Sequence, residues 1–209
     1  MTVMLLNSCL TFKRFFTVFL VAVCLVLSLC GCKKETVYLP VKVDCYQGEN
    51  LIHSDFYAFN EWGFLTSESS VYYGEESKTE STKYNYDNKG NLVSAIYSFS
   101  DIEIEYTAEK VTKYKYYLTA KDGSKITVIF DGKGHIVFKE MENAYTFEQL
   151  YTYGKDGKPT AYKTQQISPS GSRKITDYLL TFTGSNTYEY FAADDSTYRF
   201  VVTCEILKR

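Results

Sequence analysis

Histidine, tryptophan and proline are scarce, with two, one and three copies in 209 residues. With His53 and His135 as its only imidazoles, the chain has little room for metal or general-base schemes. Cationic excess is also missing. Lys and Arg number 23 against 25 Asp and Glu, a net charge of −2, whereas a nucleic-acid binder needs a basic surface to displace counterions. Gly-rich phosphate loops and cofactor motifs are absent, so no cofactor is expected. No segment carries the 3.6-residue period of an amphipathic helix; the best candidate, Glu140 to Leu150, alternates its aromatics instead. The length suits one domain. A chain of this size buries about two-thirds of its unfolded surface, so it needs neither metal nor disulfide merely to fold.

Another absence is local. Residues 1–31 contain no Asp, Glu, Tyr or Pro. Lys13 and Arg14 precede an apolar run from Phe15 to Leu27, which Ser28 and Leu29 extend to a small, cysteine-bearing end. A basic start, a short apolar run and a small residue before the cut read as a secretory signal. The run is shorter than the ~20 residues that span a bilayer. Leu29-Cys30-Gly31-Cys32 resembles the bacterial lipobox. That resemblance implies cleavage before Cys32, a diacylglycerol thioether on its sulfur and acylation of the new amine, enough for stable anchoring. Lys33 stands where an Asp would resemble an inner-membrane retention signal, which tilts the expectation to the outer membrane. The expected organisation is a signal peptide over 1–31, a lipid-anchored tether over 32–36 and one β-domain over 37–209.

Loss of Lys13 and Arg14 with the signal takes the net charge from −2 to −4, and all 20 tyrosines remain. An extracytoplasmic compartment permits disulfides. With Cys32 taken by lipid, Cys45 and Cys204 are the available pair, and a bond between them would bring the two ends of the domain together.

Period-two alternation dominates the rest. Val37, Leu39, Val41, Val43 and Cys45 share one register; so do Ile102, Ile104 and Tyr106, then Tyr145, Phe147, Gln149, Tyr151 and Tyr153, and finally Tyr198, Phe200, Val202, Cys204 and Ile206. Side chains two apart share a strand face, and this composition suits a pleated, half-buried surface. Four segments also align: Tyr57 to Leu65, Tyr84 to Leu92, Val128 to Ile136 and Tyr151 to Pro159. The shared frame is aromatic, x, aromatic, then Asp or Asn, two variable residues, Gly, x, and an apolar residue, which Tyr84 to Leu92 fits well and the other three follow loosely. Gly63, Asp87 with Gly90, Asp131 with Gly134, and Gly157 supply the turn chemistry, Asp through its own backbone and Gly through positive φ. Tyr84-x-Tyr86-Asp87-x-x-Gly90-Asn91-Leu92 resembles the Tyr-Asp repeats of the Rhs family, and with the lipobox the chain is similar to small bacterial lipoproteins carrying degenerate copies. The resemblance implies hairpins and no catalytic residues. The expected fold is all-β: an antiparallel meander of consecutive hairpins, curled or two-layered, with an open single-layer sheet as the alternative.

Chemistry is thin. His53, Ser54 and Asp55 are neighbours on an extended chain and point apart, so they make no triad; His53 reads as a solvated loop residue and His135 as a structural repeat position. Glu75-Glu76, Glu103 with Glu105, Glu140 with Glu142 and Asp194-Asp195 are the paired carboxylates, none with more than a solvated-face pattern. Asp87 to Gly90 lacks the acids of a calcium loop, and no Cys and His share zinc spacing. The tyrosines exceed what an interior easily absorbs, so some are expected outside, Tyr114 and Tyr116 among them, as contacts for a protein or glycan. The leading expectation is a non-enzymatic binding lipoprotein of the cell envelope. An immunity-type or envelope-structural protein and a carboxylate-pair hydrolase are the alternatives. Lys and Glu in both strand registers argue against a transmembrane barrel.

Overall fold

The computed structural model describes residues 35–74, 77–131, 135–141 and 146–208. Cys32, Glu75, Glu76, Gly134, Glu142 and Tyr145 lie outside the described residues. The domain is built of strands alone among the described residues: β1 (Thr36–Gln47), β2 (Asn50–Phe59), β3 (Leu65–Tyr72), β4 (Lys78–Tyr86), β5 (Leu92–Phe99), β6 (Ile102–Lys110), β7 (Lys115–Ala120), β8 (Lys125–Phe130), β9 (Ile136–Met141), β10 (Thr146–Tyr153), β11 (Pro159–Ile167), β12 (Arg173–Phe182), β13 (Thr187–Ala192) and β14 (Asp195–Lys208). Each pairs antiparallel with the next, the meander of consecutive hairpins expected from the alternation. The sheet is neither open nor merely curled. β1 also pairs with β14 from Thr36↔Lys208 to Gln47↔Tyr198, and the 14 strands close into a barrel without edges.

A round barrel of so many strands would enclose a channel. Much of this one is filled, because side chains meet across it. Tyr84 on β4 meets Phe130 on β8 edge-on at 6.3 Å, and Tyr38 on β1 meets Phe182 on β12 at 6.2 Å. Two cores result. One gathers Leu65, Tyr84, Leu92, Tyr106, Leu118 and Val128 from β3 to β8. The other gathers Tyr38, Val43, Tyr188, Val202 and Cys204 from β1, β13 and β14.

The four aligned segments form the same device. Each turn closes with a backbone bond across it, as in Asn60 N–H to Phe64 O and Asp87 N–H to Asn91 O. Asn60 Oδ1 accepts from the N–H groups of Trp62 and Phe64, Asp87 Oδ1 from Lys89 and Asn91, and Asp131 Oδ1 from His135. Gly63, Gly90 and Gly157 take φ of 74°, 76° and 81°. Beyond every turn the ladder skips one residue, leaving Thr66, Val93, Val137 and Thr160 unpaired as bulges. All four turns lie at one end of the barrel, the end where Thr36 begins β1 and Lys208 ends β14.

Two expectations are corrected. Val37 to Cys45 do not share one face: the register skips Val41, next to Pro40, which lacks an N–H for the ladder. Tyr38 therefore joins Val43 inside, and Val37 and Leu39 take the other face. Cys45 and Cys204 are free thiols, buried to 6% and 3% exposure. Both face inward on paired strands, yet Cys45 opposes Phe200 and Cys204 opposes Pro40. The offset of four residues is roughly 13 Å along the strand, beyond disulfide reach.

Candidate functional site

The two halves of the barrel separate towards the repeat-turn end. Between β9 and β10 the described register holds only Thr146↔Glu140, Phe147↔Lys139 and Glu148↔Phe138. Between β1 and β2 it runs from Lys42↔Phe56 to Gln47↔Asn50, so Tyr57 to Phe59 pair with β3 alone. A cavity of about 320 Å³ lies between these two seams. Its walls are the inward rows of the flanking strands: Asp55 and Tyr57 from β2, Glu68 from β3, Lys139 from β9, Gln149 and Tyr151 from β10, Tyr162 from β11, and Tyr188 and Tyr190 from β13.

Aromatic stacking builds most of that wall. Tyr162 stacks on Tyr151 at 4.7 Å and on Tyr178 at 4.9 Å, and Tyr190 stacks on Phe200 at 4.7 Å. Such pairs contribute about 0.5–1.5 kcal/mol each beyond area burial, which suits a wall that must stay fixed beside an empty volume. Burial raises the phenol pKa of Tyr57, Tyr151, Tyr162, Tyr188 and Tyr190, with neighbouring phenols and carboxylates adding to the shift in most of them. These hydroxyls stay protonated at any physiological pH, able both to donate and to accept.

Polar groups are fixed among the rings. The hydroxyls of Tyr151 and Tyr162 both donate to Gln149 Oε1, at 3.0 and 3.1 Å. Tyr84 donates to Glu68 Oε1 at 2.7 Å, and Lys139 Nζ reaches the same oxygen across the barrel at 3.5 Å. Ser70 donates to Asp55 Oδ1 at 2.6 Å. His53 Nε2 lies 2.8 Å from that oxygen, close enough to pair ionically although its N–H is not aligned as a hydrogen bond. Asp55 thereby raises the His53 pKa against the opposing effect of burial. In this Ser–Asp–His order the carboxylate, not the imidazole, meets the hydroxyl, so the imidazole has no hold on the serine proton. His135 Nδ1 lies 2.9 Å from Asp131 Oδ2 and 3.0 Å from the Tyr153 hydroxyl, tying a repeat turn to the aromatic wall. Burial pushes the Cys204 thiol up to about 12, away from a nucleophilic thiolate.

The residues singled out from the sequence fall differently. His53 is not in a loop but within β2, stacked on Tyr72 at 4.5 Å. Tyr116 is buried to 5% against Phe130 rather than displayed outside, because β7 turns Tyr116 and Leu118 inward and Lys115 and Tyr117 outward. Tyr114, partly buried, joins Tyr116 in a second pocket at the repeat-turn end. Glu103 and Glu105 point out from β6, exposed, and Asp194 and Asp195 sit at the β13–β14 turn. No group of three His, Cys, Asp or Glu side chains among the described residues could hold a metal ion. Sequence reasoning missed Asp55, Glu68, Gln149 and Lys139 as a set. Gln149 lies in the alternating row of Tyr151 that the sequence marks and Asp55 in the row of Tyr57, whereas Glu68 on β3 and Lys139 on β9 share their inward rows with no aromatic run that could have pointed to them. No family model matches the chain, and no curated protein is similar to it.

Proposed function

We propose that this protein is an extracytoplasmic, lipid-anchored binding protein that holds a small, neutral, hydroxyl-rich ligand, a sugar in chemical class, between the two halves of its barrel. The observation carrying this reading is the cavity itself. It offers ring faces for a C–H surface, phenol hydroxyls that both donate and accept, and one fixed amide at Gln149, the combination of apolar walls and a few convergent polar groups typical of ligand sites. Its phenols are protonated and its two carboxylates are engaged, Asp55 by Ser70 and His53 and Glu68 by Tyr84 and Lys139, which favours binding over hydrolysis.

The exterior supports a domain in water rather than one spanning a bilayer. Lys83, Glu105 and Lys163 are exposed in mid-strand on the outer face, and a lysine there costs about 2–4 kcal/mol at a bilayer midplane. Among the described residues, the exposed apolar side chains Leu150, Ile175 and Leu179 are interrupted by the Lys163–Asp177 ion pair at 3.0 Å, so this stretch of the outer face is not the broad apolar patch that an immunity-type grip on one protein would use. The anchor rests on Leu29 to Cys32, and its loss in Cys32→Ala should release the protein from membranes or trap the precursor.

Calorimetric titration of the mature protein with neutral mono- and oligosaccharides tests the ligand. A member of that panel should bind, and Gln149→Leu, which orphans two phenols, should weaken it by about tenfold or more. Binding unaltered by Gln149→Leu, or no heat with any sugar, refutes the reading.

A further inference from the structure

The end of the barrel where the chain begins β1 differs in charge from the other. Its turns and strand ends carry Lys89, Lys113, Lys155, Lys158 and Lys208 beside the acids Glu61, Asp87, Asp131 and Asp156. The opposite turns carry Glu49, Asp101, Asp122 and Asp194 against the single base Lys121 among the described turn residues. At the lysine-bearing end a second pocket of about 600 Å³ is lined by Lys89, Lys110, Lys113 and Lys208, with Glu61 and Asp131 as its acids. Asp131 already holds His135. Trp62, the single tryptophan of the chain, stands on the rim at 52% exposure, and Phe64 and Tyr86 stack behind it at 5.5 Å. Lys113 lies 4.8 Å from the Tyr114 ring centroid and Lys110 Nζ 2.6 Å from Asn91 Oδ1, so both ammoniums are held at the pocket with further N–H groups to give.

We infer that this pocket is a membrane-docking site that takes the phosphate of an anionic lipid headgroup and seats Trp62 in the interface. The inference rests on the reading of Cys32 as the lipidated residue. Cys32 stands four residues before Thr36, and four residues reach at most about 14 Å. An anchored chain therefore holds this end, and not the acidic one, against the bilayer surface. Lysines attract anionic headgroups over that range, and tryptophan favours the headgroup level. A long polyanion is a poorer occupant, because the chain as a whole is acidic and repels it beyond the mouth.

The test uses the full mature chain with Cys32→Ala, so that no acyl chain contributes, and vesicles of phosphatidylethanolamine with or without phosphatidylglycerol. Trp62 is the only tryptophan, so its emission reports the rim directly. Co-sedimentation with the anionic vesicles and a blue shift are expected, both weakening as salt rises. The double reversal Lys89→Glu/Lys113→Glu should lower partitioning by about tenfold or more, while Lys121→Glu/Lys125→Glu at the acidic end should leave it unchanged. No binding to anionic vesicles overturns the inference, as does equal loss in both variants. A shift with an acidic oligosaccharide but none with vesicles also overturns it, and makes the pocket a glycan site. The mass of the N-terminal peptide from native membranes separates the two readings: lipidated Cys32 without vesicle binding removes the docking site alone, and unmodified Cys32 with vesicle binding removes the anchor alone.

Discussion

Glycine 157 shows how a single missing side chain can be demanded twice. Its φ is +81°, where other residues are strained, and a Cβ on it would come within 1.9 Å of the Thr36 carbonyl oxygen. The turn between β10 and β11 is therefore pressed onto the first residue of β1. Gly171 has the same φ but open space around it. Gly171→Ala should cost about 1 kcal/mol for the backbone alone, and Gly157→Ala at least about twice that, because β1 must shift as well. Denaturant midpoints of the two variants check the difference; equal midpoints would mean that the contact with Thr36 is soft. His53 gives a pH signature. Its pKa is raised by Asp55 in the folded state, so its contribution to stability is complete below about pH 6.5, the unfolded value, and is lost as pH rises through the folded value. The unfolding midpoint should fall across that interval, and His53→Gln should flatten the fall. An unchanged profile in His53→Gln would show that another group titrates.

Strand-level order was legible where pattern and turn chemistry agree. The alternation of Ile102, Ile104 and Tyr106 and that of Tyr198 to Ile206 fix inward rows found in the barrel, and the Asp87 turn forms as its residues demand. Bulges were not legible, since an unpaired residue such as Val93 or Val41 has the same chemistry as its neighbours. Two further copies of the five-residue turn, Ala120 to Ser124 and Ser168 to Ser172, close with the same bonds and with Gly123 and Gly171 at positive φ. They escaped notice because neither is preceded by the Tyr-x-Tyr-Asp run of the best copy. The cavity was invisible for a similar reason: it depends on where two ladders stop, and no local sequence marks the end of a ladder. The bulges shape the ladder and make little demand on side-chain identity. Val93 is 43% exposed and unpaired, so Val93→Thr should change stability by no more than about 0.5 kcal/mol. Deleting Val93 joins Leu92 to Ser94, so the pairs Tyr86↔Leu92 and Asn85↔Ser94 become neighbours in an unbroken ladder and Ala95 and Tyr97 keep their inward face, with only the local twist of the bulge lost. A cooperative transition in both variants, at a lower denaturant midpoint in the deletion than in Val93→Thr, is the expected pair of results. Loss of cooperative unfolding in the deletion would show that the bulge itself, and not the register alone, holds β5 in place.

The molecule as a whole is closed by its two most distant strands. β1 and β14 form a ladder that spans almost the entire length of both, and Tyr38, Val43, Val202 and Cys204 from these strands make most of the second core. A meander of local hairpins would otherwise fold piece by piece, with contacts that close early in sequence. Here the last strand must arrive before the first has its second partner, so closure is the step of greatest sequence separation and the natural slow one. Removing residues 195–208 strips both β1 and β13 of a neighbour and opens the second core to water. Two unpaired edges and an exposed aromatic wall are a template for association, while the first core, contained within β3 to β8, is untouched. The truncated chain should therefore keep strand signal in far-ultraviolet circular dichroism, bind a hydrophobic dye and elute as oligomers. If it ran as a dye-silent monomer with a sharp unfolding transition, the barrel would not depend on its closing ladder, and the two halves would have to be regarded as independently stable sheets. The cavity between those halves gives that result a second meaning, because a ligand held by β2 and β3 on one side and β10 to β13 on the other survives only if closure holds both walls in register.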